Sequence, residues 1–469
     1  MPVSPSIFRQ YDIRGVAARD LDDATVSAIG AAFATSVAQR QTGDTVIVVR
    51  DCRLHSERIF AALVTGLRTQ LHVVDGGIGP TPLSYFAARE PLPNGQLPAA
   101  TVMITGSHNP AEDNGLKLTV GGHAFYGADL AALGQAAARL TPDAWRGPAY
   151  GTFTSHNYEA AYLAAATARL AFGPRRFKLV LDAGNGAGGP LGLALYRALG
   201  LDVVPLYCDM DGRFPHHHPD PTEPHNLVAL QDAVRAHGAE LGLAYDGDAD
   251  RLGAVDGTGR IWWGDQLMVV LGKAIVAEVP NAHFVGEVKC SQAMFDQLRA
   301  TGATAEMWKV GHSLIKARMQ QTGAALAGEM SGHLFFAHRW FGFDDALYAG
   351  GRLIELLTRG TRTLADMAHD FPTLAQTPEL RVPCPDAQKF AVVAAVTAYM
   401  RARVDVREVI DIDGVRAVFA TGWGLVRASN TQAVLVMRCE AASDGALAEI
   451  VDIMQQAIAS AKAALPGPT

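Results

Sequence analysis

The run Ala99-Ala100-Thr101-Val102-Met103-Ile104-Thr105-Gly106-Ser107-His108-Asn109-Pro110 passes directly from apolar β-formers into small and polar turn residues. Residues 99–104 predict a buried parallel strand of the kind that ends at a ligand crevice. Gly106 permits close backbone approach, Asn109-Pro110 turns the chain away, and Ser107 presents a hydroxyl with little bulk around it. The alternative is an ordinary strand-to-loop turn, and the rest of the chain has to choose between them.

Working outward, helical spacing over 26–39, a strand over 45–49, a helix over 56–70, a strand over 71–75 and a helix over 128–140 make the first 150 or so residues one layered α/β domain. A Pro- and Gly-containing stretch, 141–154, marks its boundary. The full chain has 469 residues, enough for three or four domains, with 49% hydrophobic and 19% charged residues. The formal net charge of -7, with both signs mixed throughout, leaves no basic stripe for nucleic acid and no polybasic segment for a membrane surface. Five scattered cysteines without metal-like spacing suit a reducing cytoplasm. The opening MPVSPSIFRQYDIRG lacks an apolar signal core, and no run approaches the roughly twenty apolar residues of a membrane span.

A second α/β unit begins with a helix over 158–171 and a strand over 177–182, which enters Ala183-Gly184-Asn185-Gly186-Ala187-Gly188-Gly189 before a helix over 191–199. The glycine spacing matches a dinucleotide-binding loop, with Asp209 as the acidic partner, and so admits an NAD-dependent oxidoreductase. It equally matches a tight strand-to-helix turn. His216, His217 and His218 stand in a proline-broken loop where adjacent side chains alternate direction, which disfavours a shared ion. After a strand over 240–245 comes Asp246-Gly247-Asp248-Ala249-Asp250-Arg251. Three carboxylates at alternate positions can turn to one side and hold a hard divalent cation, whereas unpaired they repel. The loop departs from an EF-hand, because Arg251 stands where the glycine belongs and Gly257 where the glutamate belongs.

A third α/β unit runs from about 260 to 360, with helices over 265–278 and 291–301, a strand over 282–288 ending at Lys289, and a helix starting at Gly311-His312-Ser313. In Gly328-Glu329-Met330-Ser331-Gly332-His333 the polar residues alternate, so an extended segment would face Glu329, Ser331 and His333 the same way, as a reader of sugar hydroxyls. A helix-capping loop is the alternative. The last hundred residues read as a smaller α+β domain: a helix over 386–403, a hairpin of strands 404–412 and 415–421 across Asp413-Gly414, a strand over 433–438 and a helix over 445–465. Its loop Arg427-Ala428-Ser429-Asn430-Thr431 pairs a guanidinium with short hydrogen-bonding side chains, which suits a phosphate or a solvated turn.

Taken together, TGSHNP, DGDADR, GEMSGH and RASNT, in this order and on these spacings, resemble the four signature loops of the α-D-phosphohexomutase superfamily. The resemblance spans the chain, including FRQYDIRG, DAGNGAGG and WFGFDD, and is nearest to the bacterial phosphomannomutase/phosphoglucomutase group. Glucosamine mutases, the alternative, typically carry glutamine where Met330 stands. The resemblance implies three similar α/β/α domains (1–152, 153–258 and 259–370) plus a smaller C-terminal α+β domain (371–469) around a central cleft. It implies that Ser107 carries a phosphoryl group, that Asp246, Asp248 and Asp250 with a phosphoserine oxygen hold Mg²⁺, and that Lys117, Arg14 and His333 manage protons. Arg251, Lys289 and His312 would add substrate contacts, Glu329 and Ser331 would read the sugar, and Arg427, Ser429, Asn430 and Thr431 would grip the phosphate that is not reacting. The implied reaction interconverts hexose 6-phosphate and hexose 1-phosphate, mannose or glucose, through a hexose 1,6-bisphosphate.

Overall fold

The computed structural model of the protein describes residues 3–430 and 432–465, so Thr431 of the expected phosphate loop lies outside the described residues. The apolar run forms the strand Ala100–Ile104, buried along its whole length. It lies parallel to Thr45–Arg50 on one side and antiparallel to Asp113–Val120 on the other. The local order His72–Ile78, Thr45–Arg50, Ala100–Ile104, Asp113–Val120 is three parallel strands closed by one antiparallel strand. That order recurs as Asp202–Leu206, Lys178–Asp182, Leu241–Tyr245, Leu252–Asp256 in the second unit. It recurs again as Thr304–Trp308, His283–Glu287, Leu326–Gly328, Leu334–Phe336 in the third. An internal repeat invisible as sequence similarity is therefore plain in topology.

In each unit the connection from the third strand to the antiparallel fourth is the one that carries a polar motif. These connections hold Ser107, the three aspartates and Glu329 to His333 respectively. The apolar alternation along the strands buries one continuous core that runs from Phe86 of the first unit through Leu181 and Tyr245 of the second to Phe284 and Leu334 of the third. Tyr196 donates to the Leu347 carbonyl at 2.9 Å, tying the second unit to the buried helix Ala346–Arg359 of the third. Helix and strand packing thus fixes the three connections relative to one another.

The fourth domain has its own core and a six-stranded sheet whose pairings are antiparallel. The strands Gly422–Ala428 and Val434–Ala441 flank the 429–433 loop. Several expectations shift here. The strand read over 404–412 is only Glu408–Ile410, since Val404 is fully exposed and has no apolar face to join. Five residues, not two, separate the paired positions Ile410 and Arg416, because Asp413 turns to accept from Arg427 Nε at 3.0 Å. Gly422–Ala428 is a central strand that sequence reasoning did not assign, its glycines at 422 and 424 weakening the strand pattern. In the first unit, Phe153–Ser155 pairs with His72–Ile78, which carries the first sheet across the division expected after residue 152.

Arg416 is the most deeply buried of several polar ties between the fourth domain and the third. Arg416 is buried, donates to the carbonyls of Val288 at 2.6 Å and Cys290 at 2.8 Å, and lies 3.6 Å from the centre of the Trp423 ring. Burial lowers its guanidinium to about 10. Arg438 reaches the carbonyl of Lys289 between them. Removing a buried charge partner leaves both carbonyls unpaired, at about 3 kcal/mol. Arg416→Ala should therefore lower the urea midpoint of the transition that releases the C-terminal domain, followed by tryptophan fluorescence. An unchanged midpoint would mean the domain is held elsewhere.

Candidate active site

The three repeated connections and the 427–430 loop open onto one cleft of about 890 Å³. A volume in this range suits a small ligand held on several sides. At its floor Ser107 sits in a left-handed conformation, φ 50°, with its Oγ donating to Asp246 Oδ2 at 2.8 Å and 3.2 Å from His108 Nδ1. Arg14, whose Nε donates to Asp12 at 2.7 Å, donates from its guanidinium to the Thr105 carbonyl at 2.8 Å. The serine and the aspartate loop therefore touch directly, although 139 residues separate Ser107 and Asp246 in sequence.

Asp246, Asp248 and Asp250 are fully buried and bring their carboxylate oxygens within 4.8 Å of one another. Ala249, at φ 56°, makes the sharp turn that lets alternate side chains converge. Burial and the neighbouring Asp248 and Asp250 charges push the Asp246 carboxyl well above the usual carboxylate range. Asp248 goes the other way. Burial disfavours its charge, but Lys117 at 2.7 Å and the Thr81 hydroxyl at 2.6 Å outweigh this and hold it low. Lys117 also reaches Asp250, and these two carboxylates, against the opposing effect of burial, raise its ammonium. Even so, Asp248 Oδ1 and Asp250 Oδ1 accept no hydrogen bond among the described residues. Three buried carboxylates with two unpaired oxygens fit a hard divalent cation.

The third unit contributes Glu329, Ser331 and His333, but not from an extended segment. A tight turn, with Gly332 at φ 93° and its N–H donating to the Glu329 carbonyl at 3.0 Å, connects Leu326–Gly328 to Leu334–Phe336. Glu329 accepts from the Gly311 N–H at 2.9 Å and from Ser331 Oγ at 3.1 Å. His333 turns instead toward the aspartate loop, accepting from Arg251 Nε at 3.0 Å through Nε2. Its Nδ1 stands 3.1 Å from Asp344 and 3.5 Å from Asp250. His312 lines the cleft and is held well below the usual imidazole range by burial and by Lys316. Lys289 crosses to the fourth domain, donating to Glu379 at 3.0 Å and drawing that carboxyl down to about 2. Arg427, Ser429 and Asn430 line the far wall of the cleft.

Some residues in and behind the cleft were not singled out by sequence reasoning. Tyr11 donates to the Val310 carbonyl at 2.6 Å and receives a hydrogen bond from Asn430, joining three domains at one hydroxyl. It stood within the quoted FRQYDIRG, as His108 stood within TGSHNP and Asp344 within WFGFDD, yet nothing in spacing distinguished them. Lys316 was findable: it lies four residues after His312 on the helix His312–Thr322, and so on the same face, with its Nζ 2.9 Å from Asp344. The glycine loop is structural. A Cβ at Gly186 would lie 2.7 Å from the Gly247 carbonyl, and one at Gly189 would clash with that of Cys208, so the chain's own backbone fills the space a dinucleotide would need. His216 stacks on Tyr207 with centroids 3.9 Å apart and His217 lies 3.0 Å from Asp182, so these two do not share an ion site. Among the described residues no helix is long and apolar enough to cross a membrane.

Three like α/β units and a smaller fourth domain, whose loops meet at one cleft, define an α-D-phosphohexomutase architecture. Comparison with known proteins is specific. Residues 5–139, 160–259, 263–374 and 379–457 match, in order, the phosphoglucomutase/phosphomannomutase α/β/α domains I, II and III and the C-terminal domain. A phosphomannomutase/phosphoglucomutase of Pseudomonas putida is 40% identical over 453 residues, covering 96% of this chain and 95% of that protein. A phosphoglucomutase of Neisseria meningitidis is 37% identical over 461 residues, covering 98% of each. The crystal structure of a phosphoglucomutase/phosphomannomutase family protein from Burkholderia thailandensis superposes with a TM-score of 0.90 at 40% identity, covering 100% of this chain and 99% of that one. The chain belongs to the phosphoglucomutase/phosphomannomutase family, whose members are isomerases that move a phosphoryl group.

If the carboxylate cage binds a divalent cation, adding one at about a hundred times its Kd should stabilise the protein by about 2.7 kcal/mol, read as a rise in the thermal midpoint. Asp248→Asn should abolish the rise. No shift in the unaltered protein would mean that Lys117, Thr81 and Ser107 already satisfy the three aspartates.

Proposed function

We propose that the protein interconverts hexose 6-phosphates and hexose 1-phosphates of mannose and glucose, with Ser107 as phosphoryl carrier and a hexose 1,6-bisphosphate as intermediate. The observation that carries this reading is the opening of Ser107, Asp250 of the aspartate cage, the Glu329–Ser331 pair and the Arg427 wall onto one cleft, with Ser107 bonded to Asp246 of the same cage. At the start of a cycle Ser107 is phosphorylated. A sugar hydroxyl attacks the phosphorus, the new O–P bond forms as the P–Oγ bond breaks, the hydroxyl proton leaves to a base, and Ser107 Oγ ends protonated. The bisphosphate then turns round, and its other phosphate returns to Ser107 by the same step in reverse.

Asp246, Asp248 and Asp250 would hold Mg²⁺ together with a phosphoserine oxygen; when bound, the cation neutralises charge on the transferring phosphoryl group. Lys117 and Arg14 keep their positive charges, each raised by buried acidic neighbours against the opposing effect of burial, and stabilise the same charge from the protein side. His333 is the third member of the trio that the resemblance puts forward for managing protons, with its Nδ1 facing Asp344 and Asp250. Glu329 and Ser331 accept and donate to two neighbouring sugar hydroxyls, which tolerates both orientations of the intermediate. Arg427, Ser429, Asn430 and, by sequence, Thr431 grip the idle phosphate, with Lys289, His312 and Arg251 adding contacts. The substrates are therefore sugar phosphates, and five free thiols fit a cytoplasmic setting.

A panel of hexose phosphates with Mg²⁺ and a trace of glucose 1,6-bisphosphate tests the reading. Mannose and glucose 1-phosphates should turn over at comparable rates, and Ser107→Ala should lose nearly all activity. A glucosamine 6-phosphate rate above both would reassign the enzyme to glucosamine mutases.

A further inference from the structure

We infer that Arg53, outside the reacting centre, is the positioning residue that sets the Ser107 loop in its working shape. Its side chain has no exposed surface, and all its terminal donors go to the backbone of that loop. One terminal nitrogen donates to the carbonyls of Ser107 and Asn109, both at 2.7 Å. The other donates to the carbonyls of Pro110 and Asp113. The planar fork of a guanidinium can span these acceptors; an ammonium, with three donors on a point charge, cannot.

The charge is balanced within the same assembly. Asp51 Oδ2 lies 3.3 Å from Arg53 Nε and accepts from the Gly106 N–H at 3.2 Å, while its Oδ1 accepts from the Arg53 N–H at 3.0 Å and the Ser56 hydroxyl at 2.6 Å. The loop is thus held by its amide on the strand side and by four carbonyls beyond. Gly106 makes room, since a Cβ there would clash with Arg53 Cζ. From the second unit, Phe214 covers the guanidinium with its ring centre 5.1 Å away.

The clamp explains how Ser107 stays in the left-handed region. That conformation costs a non-glycine residue about 1 kcal/mol and persists only where its surroundings over-determine it. Four carbonyls drawn to one fixed charge do this on the C-terminal side of the serine, and the Thr105 hydroxyl does it on the other, accepting from the Ser107 N–H at 2.7 Å. Both halves of the proposed cycle use the same Oγ, so an error in its position is felt twice. The functional consequence rests on the phosphohexomutase reading, whereas the clamp can be measured without it.

Arg53→Lys keeps the charge and removes the fork. It should lower kcat about a hundredfold, the scale of a misplacement of roughly 1 Å. KM for the sugar phosphate should stay at its unaltered value, because the hydroxyl and phosphate readers lie in other domains. Gly106→Ala, which displaces the guanidinium from the opposite side, should reproduce the same split. In both variants, amide hydrogen exchange over residues 105–113 should accelerate while the other strands of the first sheet keep their protection. Unaltered kcat in both variants, a rise in KM at constant kcat, or faster exchange spread evenly over the domain would each overturn the inference. A protein without mutase activity would overturn the proposed function instead, and the exchange data would still decide the clamp.

Discussion

Three carboxylates buried in one turn repel one another, and much of the interlocking around the cleft can be understood as compensation for that repulsion. Asp246, Asp248 and Asp250 have no exposed surface, so water cannot screen them. The first unit answers with Lys117, Thr81 and the Ser107 hydroxyl. The third answers with His333, which faces Asp250 while holding Arg251. A strained anionic turn thus becomes the point where the units must meet in register, and it leaves unpaired oxygens suited to a cation. Stability and chemistry draw on the same groups.

The topology explains how separate units reach one point. Each α/β unit presents the same connection, from its last parallel strand into an antiparallel one, and a shared apolar core fixes the three relative to each other. The fourth domain supplies a loop between two antiparallel strands, and is attached through Arg416, the Lys289–Glu379 pair and a small apolar cluster of Val288, Trp423 and Leu425. A cleft whose walls are like loops on different domains can accept a substrate with a phosphate at each end in either direction.

Much of this was legible in the sequence because the motifs are local. The strand before Ser107, the alternate aspartates and the glycine-bounded turns each carry their own signal within a few residues. What escaped depends on distance. Arg53 and Asp51 sit in the unremarkable loop just after the strand Thr45–Arg50, and their role appears only when residues 106–113 fold over them. Asp113–Val120 was hidden because Asn114, Gly115 and Lys117 interrupt its apolar pattern; they are buried where the strand's first half pairs with Ile13–Val16 and its second half with Ala100–Ile104. Glu329 and Ser331 were correctly associated but through the wrong geometry, a turn rather than an extended segment. Repetition of the three units was invisible because strand order, not residue identity, is what repeats.

The central claim is that Ser107 gives up one phosphoryl group and takes back another. A single turnover of enzyme carrying isotopically labelled phosphate on Ser107, with unlabelled glucose 1-phosphate, tests it most directly. The label should appear in glucose 6-phosphate, with unlabelled phosphate left on Ser107. Label retained on the serine while product forms would contradict the account.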